Sequence, residues 1–349
     1  MILVVGLDGF DYRWRAPLVK QGYQVLPMDS PHCLSGPAWT SIFSGLRAET
    51  HGIPHVPGAA ELAAGFGKQK PRWVWDHFGA AGLVSVIVNA PFTYPPGLVN
   101  RLLVSGYPTA AQNRTFPKRA AADFPWRILD LYYSYADKAS WDFLAVPDEE
   151  MLETCKKNRW HLAHKFLCAA AEGQRDLAVF CLTDLDQLAH YAYRTFRKRE
   201  RRKEVLADIM ALLERLETRF YPEWTFVVSD HGLDLTEKPR EEDGWGLCHG
   251  PDRPESRTGI FAYKGAEARA LPAGSKVALE DVAPTLMYLA DITPVGPLDG
   301  KAQTEISQQG YEDAAETWRQ LQALWYVEAA QTEEPADEGA AEPQEATEE

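Results

Sequence analysis

Five strand-length apolar runs, Ile2–Leu7, Val84–Val88, Leu177–Leu182, Thr225–Ser229 and Gly259–Tyr263, set the narrowest limits on how this chain can fold. The runs are near-continuous rather than alternating, so both faces of each strand must be buried, as in a mainly parallel sheet. Helical patterns lie between several of them, over Arg72–Ala81, Glu149–Ala171 and Arg197–Phe220. Strand and helix in repeated alternation predict an α/β fold: a mainly parallel sheet flanked by helices on both faces. Such a sheet brings its strand C-termini to one rim, and ligands of open α/β sheets bind outside that rim.

A length of 349 residues suits one large core carrying an insertion. Residues 1–328 are expected to form that core domain. Within it, 100–147 is rich in aromatics and prolines, carries scattered basic residues and has little periodicity. It reads as a small cap insertion over the rim, or as a surface excursion that packs its aromatics on the core. Residues 329–349 are Ala, Glu, Pro and Gln-rich with no aromatic, the composition of a disordered acidic tail.

A net charge of −14 argues against a nucleic-acid scaffold as partner. No apolar run approaches the ~20 residues of a membrane helix. The N-terminus lacks the basic region of a signal peptide and reads as the first core strand. Cys33, Cys155, Cys168, Cys181 and Cys248 are odd in number and form no CxxC pair. That usage suits reduced thiols in a cytoplasm.

The candidate chemistry lies where strands end. Asp230-His231-Gly232 leaves the strand run before it, and a carboxylate and an imidazole leaving together around a glycine turn can face one divalent ion. The same tripeptide also makes an ordinary surface turn. Asp186 and His190 follow Leu177–Leu182 at i,i+4, which puts them on one face if a helix opens there. The alternative is an Asp placed by the helix dipole with an unrelated His one turn later. Asp184 is the competing carboxylate and reads as structural or supporting.

Asp8 ends the first run, where a carboxylate is costly unless paired or metal-bound; it could equally cap a helix. His249 sits in a Gly/Pro-rich loop, beside a Cys248 that is either a ligand or a packing residue. Ser35 precedes a helical pattern over Thr40–Leu46, and a helix N-terminus stabilises anions; plain capping is the other role open to it. Thr40 is the competing hydroxyl, less freely presented within the first turn. His161 and His164 have the i,i+3 spacing of a metal pair but no third ligand, and read as a helix face. Arg114, Lys118, Arg119, Arg253 and Arg257 each read as a holder of a second phosphate or carboxylate, or as surface charge. Three carboxylates, three imidazoles and a hydroxyl together are the chemistry of a two-metal hydrolase.

In this order the residues resemble the alkaline phosphatase superfamily, in particular its type I phosphodiesterase and nucleotide pyrophosphatase branch. The likeness runs through Leu7-Asp8-Gly9, Ser35-x-Pro37, Ser44-Gly45-Leu46, His51-Gly52-Ile53, Asp186-xxx-His190, Asp230-His231-Gly232 and His249. It continues in Asp281-Val282-Ala283-Pro284-Thr285-Leu286 and Leu298-Asp299-Gly300, and covers roughly 1–305. The loop Asn89–Pro96 is similar to one in bacterial and archaeal relatives.

The resemblance implies that Asp186, His190 and His249 hold one zinc and Asp8, Asp230 and His231 another, with manganese as the other candidate ion. It implies Ser35 as the nucleophile, two residues before Pro37. The expected activity is hydrolysis of a small-molecule phosphoester by a phosphodiesterase, through a covalent seryl intermediate. A phosphomonoesterase, a phosphonate hydrolase or a phosphomutase on the same site are alternatives, as is a catalytically silent binding protein of the same fold. Sulfatases carry an Arg where Trp39 stands here. The chain also departs from the branch, which mostly has Thr at the Ser35 position and often an Asn after His-Gly-Ile; His55 is the candidate substitute for that Asn.

Overall fold

The computed structural model describes residues 1–53, 55, 71–109, 113–124, 147–235, 248–250 and 253–307. The described strands are β1 (Ile2–Leu7), β2 (Gln24–Asp29), β3 (Ser85–Ala90), β4 (Arg101–Ser105), β5 (Thr115–Phe116), β6 (Leu177–Leu182), β7 (Trp224–Val228), β8 (Thr258–Gly265) and β9 (Val277–Ala278). They form one sheet in the order β5-β4-β3-β6-β1-β7-β8-β2-β9. From β4 to β7 all neighbours are parallel, while β8 runs antiparallel to both β7 and β2, and β5 antiparallel to β4. The expected mainly parallel α/β sheet is what forms.

The period of two along each strand splits the core into two layers. Leu3, Val5, Leu7, Val86, Val88, Phe180 and Leu182 face one way, where Leu162 and Phe166 of the Asp148–Ala171 helix and Ile209 and Leu213 of the Arg199–Phe220 helix cover them. Val4, Ile87, Leu103, Val179, Phe226 and Val228 face the other way, against Trp39, Ile42 and Phe43 of the Ser35–Ser44 helix, Val74 and Phe78, and Val282 and Leu286. Among the described residues no helix is long and apolar enough to cross a membrane.

Two corrections concern elements. The helix expected to begin at Thr40 begins at Ser35, after Leu34 as its extended cap residue. The span 100–147 is not an insertion throughout, because β4 and β5 lie in it and Leu102, Leu103 and Val104 are buried in the sheet. Residues 125–146, on which the rest of the cap expectation falls, lie outside the described residues, as do 308–328 and the tail 329–349.

One buried ion pair braces the segment after β6. Arg159, fully enclosed in the Asp148–Ala171 helix, donates from Nε to Asp184 Oδ2 at 2.5 Å and from Nη1 to Asp208. Asp184 is thereby committed to Arg159 through Oδ2, while its Oδ1 is buried without a hydrogen-bond partner. Removing one partner of such a pair leaves an uncompensated buried charge. Arg159→Met is expected to lower unfolding free energy by about 3–5 kcal/mol, measured by urea denaturation of the full chain.

Candidate active site

β1 sits between β6 and β7 in register, with Leu7 opposite Leu182 and Gly6 opposite Val228. The residues that follow these three strands therefore emerge side by side on one rim: Asp8 after β1, Asp184 to His190 after β6, and Asp230 and His231 after β7. Ser229 fixes two of the exits at once, since its Oγ accepts from the Phe10 N–H and donates to the His231 carbonyl, each at 2.8 Å. Gly232 lets the chain turn away, because a Cβ there would meet Asp11 Oδ2 and the Thr258 carbonyl at 2.7 Å. Asp186 and His190 lie on the Asp184–Tyr191 helix, as their spacing predicts.

All seven candidate residues converge. His231 Nε2 lies 3.2 Å from Asp230 Oδ2 and 3.6 Å from Asp8 Oδ1. Ser35 Oγ is 3.3 Å from the same nitrogen. Asp186 Oδ1 lies 3.2 Å from His249 Nε2 and 3.3 Å from His190 Nε2, and those two nitrogens are 3.1 Å apart. The His231 and His249 rings stack at 4.0 Å and join the halves. Asp8, Asp230 and His231 offer ligand atoms within 4.8 Å of one another, and so do Asp186, His231 and His249.

Hydrogen bonds at the back of the site decide which ring nitrogen faces it. A carbonyl only accepts, so His231 Nδ1–H donates to the Gly232 carbonyl at 2.9 Å and His249 Nδ1–H to the Cys33 carbonyl at 2.8 Å. When neutral, as metal binding requires, each ring turns a lone pair on Nε2 toward the carboxylates. The carboxylates are arranged likewise: Asp8 Oδ2 accepts from Trp39 Nε1–H at 3.2 Å and Asp230 Oδ1 from Gly9 N–H at 3.2 Å. Asp8 Oδ1, Asp230 Oδ2 and Asp186 Oδ1 are buried without a hydrogen-bond partner. With the rings neutral, lone pairs face lone pairs at 3.2–3.6 Å, an arrangement that is repulsive in a dry site and fits a cation between them.

The electrostatics agree. Burial, with the charges of Asp230 and Asp186, pushes the Asp8 carboxyl well above its ordinary range. Burial and Asp186 raise Asp230 to about 8. Burial and the neighbouring His249 lower His231 to about 3. At Asp186, burial acts upward but is outweighed by His190 and His249, which hold it well below the usual value. Among the described residues no lysine or arginine pairs with any of these three carboxylates.

The competing residues fall outside. Thr40 is fully buried and its hydroxyl donates to the Gly36 carbonyl at 2.8 Å. Cys248 Sγ donates to the Ala189 carbonyl. His164 neighbours Cys168, at 3.7 Å, and takes no part in the site. Arg253 pairs with Asp234 at 3.3 Å and Arg257 with Asp29 at 3.7 Å. Arg114 is buried just before β5, whereas Lys118, Arg119 and His55 are exposed. The reading from sequence missed Trp39 and Ser229 as supporting groups, although Trp39 stands one helical turn after Ser35.

Residues 15–259 match the type I phosphodiesterase / nucleotide pyrophosphatase family. The chain belongs to that family. It is a phosphoester hydrolase, and Asp8 precedes the matched span. A comparison with curated proteins finds no match. Among solved structures, human ectonucleotide pyrophosphatase / phosphodiesterase 5 is similar with a TM-score of 0.54 at 13% identity, over 86% of this chain and 97% of that one. An inactive variant of the murine protein, solved in complex with AMP, gives 0.52 at 12%, over 86% and 97%. The phosphonate monoester hydrolase of Agrobacterium radiobacter gives 0.53 at 11%, over 89% and 78%. At such identities these likenesses speak to the fold, which is alkaline phosphatase-like.

Proposed function

We propose that this phosphoester hydrolase is a two-ion phosphodiesterase in which Asp186, His190 and His249 hold one divalent ion and Asp8, Asp230 and His231 the other. The observation that carries the reading is the set of three buried carboxylate oxygens without partners, facing imidazole nitrogens whose opposite Nδ1–H groups are committed to carbonyls. Nitrogen and oxygen ligands in this number suit zinc, with manganese as the second candidate. Bound there, the ions supply positive charge to a phosphoryl group and to an attacking oxygen.

Ser35 opens its helix 3.3 Å from His231 Nε2, so its hydroxyl is presented at the cluster. The Ser35 and Gly36 N–H groups of the first turn have no intrahelical acceptor and favour an anion at that end. In the proposed double displacement, Ser35 Oγ forms a bond to phosphorus as its proton leaves, and the leaving alkoxide departs with the bonding electron pair and is protonated. Water then cleaves the seryl–phosphorus bond and returns the hydroxyl. The proposed substrate is a small phosphoester, since a net charge of −14 disfavours a nucleic-acid scaffold. Five cysteines, odd in number and without a CxxC pair, support a reducing, cytoplasmic setting.

A panel of p-nitrophenyl phosphate, bis-p-nitrophenyl phosphate, a phosphonate ester and a sulfate ester, each with and without chelator, tests the assignment. The diester is expected to turn over fastest, with activity lost to chelator and restored by zinc or manganese. Preference for the monoester overturns the diesterase assignment. No hydrolysis by metal-loaded protein favours a silent binding protein.

A further inference from the structure

The geometry points to Trp39 as the positioning residue that fixes Asp8 as a one-oxygen ligand and ties that ligand to the helix carrying Ser35. This inference rests on the two-ion reading above. Trp39 is fully buried, and its indole N–H, which can only donate, reaches Asp8 Oδ2 at 3.2 Å. The other oxygen, Oδ1, is the one without a partner and the one that faces His231. The indole thus engages one carboxylate oxygen and leaves the other for an ion, as outer hydrogen bonds to metal ligands commonly do.

The ring is held on every side. It stacks on Phe43 at 5.5 Å, and its far edge lies over Gly6, where an added Cβ would stand 2.8 Å from Trp39 Cη2 and 2.7 Å from Cys181 Sγ. A glycine one residue before the end of β1 therefore makes room for the indole. Ser35 and Trp39 are four residues apart in one helix, so they share a face. A shift of that helix moves the nucleophile and the carboxylate anchor together. This places Trp39 among the determinants of the site, although it touches neither ion nor substrate.

Trp39→Phe keeps an aromatic ring at the position and removes the donor. The full chain, stripped of metal, is titrated with zinc in competition with a chromogenic chelator. Wild type is expected to take up two ions. The variant is expected to hold one as tightly as wild type and the other about 10- to 100-fold more weakly. General loosening of the core would weaken both, so equal loss at both sites, or no loss at either, overturns the role of Trp39. Wild type that takes up no zinc overturns the two-ion reading itself, a result distinct from both. Should the variant fail to fold, the wild-type indole resonances decide. The Trp39 proton, assigned in ¹⁵N-tryptophan-labelled protein by its ring's contacts with Gly6, is expected to shift as zinc binds. An unmoved resonance in zinc-loaded protein overturns the inference.

Discussion

Ser35→Ala is expected to lower kcat/KM for a chelator-sensitive phosphodiester by at least about 10³-fold, equivalent to about 4 kcal/mol of transition-state stabilisation, with the zinc content unchanged. The size follows from losing the attacking atom while leaving the carboxylates and imidazoles in place. Ser35→Thr retains a hydroxyl at the same helical position and is expected to keep activity. Thr40→Val is the discriminating control. Its hydroxyl is buried and bonded to the Gly36 carbonyl, so its loss is expected to cost about 1 kcal/mol of stability and leave turnover within about tenfold of wild type. Activity lost in Thr40→Val and kept in Ser35→Ala would exchange the two assignments. Steady-state kinetics with metal analysis of each variant gives the answer.

Metal removal is expected to produce the largest change in stability, and its size should depend on pH with a definite sign. In the metal-free protein the Asp8 carboxyl is raised by burial and by its acidic neighbours, and Asp230 is raised to about 8. The folded form then binds more protons than the unfolded chain, so stability falls as pH rises toward about 8. His249 adds to this fall: burial lowers its pKa, but Asp186 and the Cys33 carbonyl together outweigh burial and the net shift is upward. Burial holds His231 at about 3 and His51 at about 4, and their contributions are lost as pH falls below the ordinary histidine value of 6.5. Above the ordinary histidine value of 6.5 the falling contributions of Asp8, Asp230 and His249 are the ones that remain, so the thermal midpoint of the metal-free protein is expected to drop from there to pH 8. Saturation at 1,000 times Kd adds about 4 kcal/mol per site. The gap between loaded and stripped midpoints should accordingly widen with pH. A stripped midpoint that is flat or rising over this range, or no gap at any pH, contradicts the electrostatics of the cluster.

The sheet could be read from its buried strands because β1, β3, β6, β7 and β8 each advertise themselves as apolar runs. β2 could not, since only Met28 of its six residues is buried and Pro27 interrupts it. β4 was hidden by the aromatic, proline-rich character of its surroundings, although Leu102–Val104 is a short apolar run of its own. The ligand candidates were legible because a carboxylate or imidazole at a strand end stands out chemically. Their supports were not. Ser229 acts through one hydroxyl between two backbone groups, and Cys33 through its carbonyl alone, so side-chain identity gives little or no sign of either role. Trp39 looked like a missing arginine, and only the distance to Asp8 reveals it as a donor.

The central place of β1 also bears on how the protein is made. Ile2, near the start of the chain, pairs on one side with Leu177 and on the other with Trp224. At a synthesis rate of about 5–20 residues per second, the first strand leaves the ribosome roughly 10–45 s before its second neighbour exists. Both edges of β1 await partners until β6 is made, and one edge still does until β7 is made, the condition in which nascent chains aggregate or recruit chaperones. Recombinant yield should therefore respond to chaperone supply and to slower, cooler expression more than to changes at the chain's surface.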